Sequence, residues 1–259
     1  MKIKTLLLAS AVSLASTSAI ANHAWGDYHW ATSTGVVNLP VIDSVSSDWQ
    51  QSFETSISKW NQSNAINQNI ESADDGARTR KRCNAVTGKM RVCNASYGYN
   101  GWAGLASINL DSNGHITQGT AKMNDSYMAG DSDASRNHVM CQEIGHVFGL
   151  GHTSEDGSSQ KTCMDYSNDV NSQWPNAHDY QMLSDIYNHV DGYDTAIPGD
   201  SGGCKGGPKK CGKQSGNLGV KVFQRGRHQI WVEPGANGST WIHHVTLAEG
   251  HDDIVHDEH

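Results

Sequence analysis

Apolar residues first recur at helical spacing at Trp49, Phe53, Ile57 and Trp60, which predicts one buried face on a helix opening near Ser47. Ser47-Asp-Trp-Gln50 reads as a capping box, with Ser47 at the N-cap and Gln50 reaching back. Ahead of it, residues 35–42 form a short strand pattern interrupted by Pro40, and residues 64–70 give another. Residues 72–89 are loop-like and carry the basic run Arg78-Thr-Arg-Lys-Arg82, expected to be solvated. Three strands then follow at 90–97, 104–110 and 115–123. The last two are joined by the turn sequence Asp111-Ser-Asn-Gly114. That turn, with Asp131 and Asp133, offers oxygen donors, but turns need the same residues, so no calcium site is expected.

A second helical stretch opens at Asp133 and runs to about Phe148, where Gly149 can take a positive φ and end it. A third spans 177–189, with Tyr180, Leu183, Ile186 and Tyr187 on its inner face. Residues 194–218 are rich in Gly, Pro, Lys and Ser and read as a linker. Short strands at 220–223, 229–232 and 241–247 follow it. Strands and helices in this order predict an α+β fold: a main domain at 22–193 and a small β-rich segment at 219–259.

Residues 1–21 have the form of a signal peptide. Lys2 and Lys4 precede an apolar stretch at 6–14, and Ala19-Ile20-Ala21 is a small-residue cleavage site. The chain is therefore expected to be secreted, without a stable membrane anchor. Removing the leader takes away two lysines and no acid, so the net charge of −8 becomes −10. An acidic exported protein is a poor partner for nucleic acid. The six cysteines, Cys83, Cys93, Cys141, Cys163, Cys204 and Cys211, fit disulfides in an oxidising compartment. Sequential pairing is the simplest arrangement, although the sequence leaves other pairings open.

The chemistry concentrates in residues 142–152, Gln-Glu-Ile-Gly-His-Val-Phe-Gly-Leu-Gly-His. The pattern H-E-x-x-H-x-x-G-x-x-H is matched at Glu143, His146, Gly149 and His152, with Gln142 in the first-ligand slot. Positions four apart share a helix face at roughly 6 Å, so Gln142 and His146 can converge on one ion. His152 returns as a third ligand after the turn at Gly149, and a fourth position stays open for water. Glu143 is then placed as general base. His138 lies about 12 Å along the axis from His146, too far to replace the missing histidine. His243-His244 and the acidic, His-containing end can chelate metal, but are expected to be a solvated tail.

This stretch resembles the metzincin zinc endopeptidases, and within them the matrixin-like group. The resemblance covers roughly residues 28–192 and is strongest over 138–166. It implies a twisted mixed sheet with an active-site helix, a methionine turn at Cys163-Met164-Asp165-Tyr166 and a C-terminal helix. It further implies Zn2+ on Gln142, His146 and His152, with Met164 as the floor of the site and Tyr166 as donor to the developing oxyanion. Gly104, Leu105 and Ala106 are similar to the edge strand that aligns substrate backbone to backbone. The expected partner is a peptide or protein substrate. A different class of function, a catalytically silent exported binding module on the same fold, is favoured by Gln142.

Overall fold

The computed structural model describes residues 23–154, 156–197 and 217–251. Among these, the strands join into one mixed sheet, and its two halves arise from different local patterns. The N-terminal half contains β1 (His29–Trp30), β2 (Val37–Ser44), β3 (Ile66–Ala73), β4 (Met90–Ala95), β5 (Trp102–Leu110) and β6 (His115–Asn124). The C-terminal half contains β7 (Val220–Arg225), β8 (His228–Pro234) and β9 (Thr240–Leu247). The order is β3-β2-β4-β6-β5-β9-β8-β7, with β1 alongside the start of β6. Neighbours from β3 to β6 are parallel, and every pairing from β6 onward is antiparallel.

Parallel pairs need crossovers. The helix α1 (Ser47–Trp60) supplies the one between β2 and β3, burying Trp49, Phe53, Ile57 and Trp60 as the apolar spacing predicts. Its cap differs from expectation. Ser46 is the N-cap, its hydroxyl accepts from Asn94 Nδ2 (3.0 Å), and Gln50 donates to Asp43 and Glu54. A tertiary partner, Asn94, thus displaces the local capping box. The loop-like stretch contains a one-turn-and-a-half helix, α2 (Ala77–Arg82), which buries no residue. It ends at Cys83 in the left-handed region, anchored by the Cys83–Cys93 disulfide.

The short helix α3 (Asp125–Met128) leads to α4 (Asp133–Val147). Ser132, not Asp133, caps α4 by accepting from Ser135 N (3.2 Å), and Asp133 pairs with Arg136. The final helix, α5 (Ala177–Ile186), carries a full capping box from Asn176 and Asp179. Helix α4 is buried between α1 and the sheet. Trp60 Nε1 donates to Cys141 O (3.0 Å) and Trp30 Nε1 to Val147 O (2.9 Å), so both indole donors are satisfied within the core.

The C-terminal strands match their predicted positions, yet they continue the main sheet, since β9 pairs with β5 from Trp102 to Leu110. A small cluster of Leu105, Val245 and Leu247 covers the sheet face opposite the main core. The Cys141–Cys163 disulfide ties α4 to the segment around Met164. Cys204 and Cys211, the leader at 1–21, most of the linker and residues 252–259 lie outside the described residues. No helix among the described residues is long and apolar enough to cross a membrane.

Gly149 ends α4 at φ +93°, and a Cβ there would sit 2.0 Å from Tyr28 O. Gly149→Ala should therefore lower stability by at least about 2 kcal/mol, from the left-handed conformation and the backbone collision together. Denaturant midpoints measure it, and a change below about 0.5 kcal/mol, typical of an ordinary surface substitution, would show that the chain end at Tyr28 does not dock there.

Candidate metal centre

Three groups of His and Asp side chains among the described residues can hold a metal ion, and the first is His146, His152 and His244. Their ligand atoms lie within 4.8 Å of one another. Helix α4 supplies His146 and the turn at Gly149 returns the chain to His152, as the spacing requires. The third histidine comes from β9, nearly a hundred residues further on.

The tautomer of His146 is fixed by its Nδ1, which donates to Leu150 O at 2.8 Å, so its Nε2 presents a lone pair. The Nε2 atoms of His146, His152 and His244 are all buried without a hydrogen-bond partner. Three buried ring nitrogens left without a partner are costly unless something binds them. Burial holds His146 down at about 4, and holds His152 and His244 well below the usual imidazole range, with neighbouring histidines adding to the effect. Neutral imidazole is the form that ligates a metal. The donor set therefore fits a borderline ion such as Zn2+.

Gln142, expected as first ligand, is not in this cradle. Its Nε2 donates to Cys163 O (2.9 Å) and Asp165 O (3.0 Å), and its Oε1 accepts from Thr246 Oγ1 (3.1 Å). The reason is local. The turn carrying Met164 exposes two carbonyls towards α4, and an amide N–H₂ answers both, which imidazole cannot do from one nitrogen. The stacked ring of His244, 3.8 Å from that of His146, fills the ligand position instead.

Glu143 is fully buried on the next position of α4. Burial pushes its carboxyl up to about 8, against hydrogen bonding to Thr246 and the Ala106 backbone, which pull it down. Thr246 Oγ1 lies 2.7 Å from Oε1, while Oε2 has no partner. Room for this carboxyl depends on Gly104, where a Cβ would meet Oε1 at 2.2 Å.

Met164 is buried beneath α4, close enough to Gly145 that a Cβ there would come within 2.5 Å of its sulfur. Asp165 organises the turn, accepting from Gln160 N, Ser167 N and Ser172 Oγ. Tyr166 sets its ring edge-on to His152 (4.2 Å) and flat on His228 (3.6 Å). Trp25, from the N-terminal segment, closes over His244 at 3.9 Å. Gly104, Leu105 and Ala106 are not a free edge here, because β9 pairs with them at Thr246, Val245 and His244.

The structure brings His146 and His152 together with Tyr166 against His152, and sets Met164 at Gly145 and Glu143 at Thr246. His243 and His244, expected in a solvated tail, are buried on β9, and Thr246, His228 and Trp25 were not singled out by the sequence. The signals available were the His243-His244 pair itself and strand periodicity, which puts His244 and Thr246 on the same face of β9. A cavity of about 420 Å³ is lined by the α4 residues His138 and Gln142, the loop at Asp169, and Arg227 and Thr246 from the C-terminal half; His146, His152, His244 and Glu143 do not line it. No protein-family model and no curated protein matches the chain.

His244→Ala should reduce zinc affinity at this centre by at least about 100-fold, since losing even an outer partner costs 10–100-fold. Gln142→Ala should keep the zinc and instead cost about 1–3 kcal/mol of stability through its unanswered carbonyls. Metal titration and denaturation of both variants check the assignment; zinc lost from Gln142→Ala but kept in His244→Ala would reverse it.

Proposed function

We propose that this chain is a secreted zinc-dependent endopeptidase, of the metzincin kind its helix motif resembles, with zinc held by His146, His152 and His244. One observation carries the reading: three buried imidazole nitrogens without hydrogen-bond partners converge, and β9, which brings His244 to them, also brings Thr246 to the buried carboxyl of Glu143. Zinc on three histidines keeps a position open, and supplies an acidified water and Lewis-acid polarisation of a carbonyl. Glu143 accepts the proton from the attacking water and delivers it to the leaving amine. Tyr166, whose ring borders His152, donates to the developing oxyanion. Trp25 and His228 exclude bulk water around the histidines. The two disulfides formed among the described residues fit the oxidising compartment that secretion would bring.

The same geometry sets a condition on activity. An extended peptide would add to β5 at 104–106, where β9 already lies. Turnover then requires β9 to yield this edge, releasing Thr246 from Glu143 as it does so. That pairing also favours a second reading, an exported metal-bearing binding module without catalysis.

The test uses the zinc-loaded mature chain and an unfolded protein substrate. Wild type should cleave it, and Glu143→Ala should be slower by at least about 100-fold, the usual loss with a general base. Equal cleavage by both would remove Glu143 from the chemistry. No cleavage with zinc bound would leave the module.

A further inference from the structure

Outside the candidate centre, four side chains from three segments gather at Asp191 Oδ1. His29 on β1 and His115 on β6 are register partners in the parallel β1–β6 pair. His189 and Asp191 lie just beyond α5. The Nε2 atoms of His29, His115 and His189 lie 3.4, 3.5 and 3.3 Å from Asp191 Oδ1, and those of His29 and His189 lie 3.1 Å apart. Four ligands on a tetrahedral ion, at about 2.0–2.1 Å from it, are separated by roughly 3.3 Å.

The protonation pattern asks for a cation at the centre. His29 Nδ1 faces the Asp27 carbonyl at 2.7 Å, and a carbonyl only accepts, so that nitrogen carries the hydrogen. In the neutral ring, Nε2 is then a bare lone pair directed at a carboxylate oxygen, which also only accepts. His115 is oriented in the same way by the Tyr193 hydroxyl at its Nδ1, and Tyr193 is held by Asp111. Asp191 is fixed from behind, its Oδ2 accepting from Thr32 N at 2.8 Å and its own N–H donating to Thr32 O. His29, His115 and Asp191 thus each have an outer partner, as metal-bound imidazole and carboxylate do. Only His189 is substantially exposed, with 44 % of its side chain accessible.

We propose that His29, His115, His189 and Asp191 form a second, structural zinc site. The ligand atoms of His29, His189 and Asp191 lie within 4.8 Å of one another, and His115 Nε2, 3.5 Å from Asp191 Oδ1, stands as the candidate fourth ligand that would close a tetrahedral set. The ion would clip β1 and the start of β6 to the segment leaving α5, fixing the N-terminal strand four residues after Trp25. This site shares no residue with the centre at His146 and stands whether or not that centre is catalytic.

The experiment counts zinc in the purified mature chain by mass spectrometry after loading and desalting, and follows thermal unfolding with and without zinc. His189→Ala removes the exposed ligand with little risk to folding. It should lose one zinc equivalent relative to wild type and bind the remaining clip at least about 100-fold more weakly. In a His146→Ala background, zinc should still raise the unfolding midpoint, and adding His189→Ala should reduce that rise, since the group of His23, His178 and Asp179 is unchanged in both variants. Cobalt(II) bound to His146→Ala should give the visible bands of a four-coordinate ion. Unchanged zinc content in His189→Ala would overturn the site, showing that a proton occupies the centre. A midpoint rise equal in the single and double variants would overturn it as well.

Discussion

The antiparallel pairing of β9 with β5 is the constraint on which the candidate centre depends. Its register sets Ala106 opposite His244 and Gly104 opposite Thr246. Because strand side chains alternate, both C-terminal residues face α4 together, one beside His146 and the other above Glu143 and Gln142. A slip of one residue would turn His243 towards α4 and His244 away. The observed register is reinforced on the opposite face, where His243 Nδ1 meets Ser107 Oγ at 2.9 Å and Val245 and Leu247 pack with Leu105.

Seen from that pairing, the glutamine in the helix motif changes meaning. A histidine at position 142 would leave the carbonyls of Cys163 and Asp165 to share a single N–H. The amide answers both and takes the Thr246 hydroxyl on its oxygen. It binds α4 to the turn beneath it, alongside the Cys141–Cys163 disulfide. In the proposed centre the ligand position moves to β9, and the cost is a group that is complete only with the C-terminal half of the sheet in place.

Both ends of the described chain therefore converge on the same helix. Trp25 N bonds Gly149 O, and its indole covers His244, while β9 covers β5 and the carboxyl of Glu143. Such closure stiffens a metal cradle and excludes water, which strengthens electrostatics inside it. It also opposes entry of any extended ligand along β5. The proposed peptidase and the closed metal module would thus be two outcomes of one balance, between the β5–β9 ladder and the pairing a substrate would offer.

The sequence by itself determined what depends on near neighbours. The face of α1 at Trp49, Phe53, Ile57 and Trp60, the turn at Asp111 to Gly114, the stop at Gly149 and the convergence of His146 with His152 all follow from spacing along one element. The tertiary structure decided what depends on partners far apart. Asn94 took the cap of α1 away from Gln50, β9 filled an edge that local pattern left open, and His244 joined two histidines about ninety positions before it. Helix and turn geometry repeat over a few residues and leave periodic marks in a chain, whereas the packing of a distant strand leaves a mark only in space.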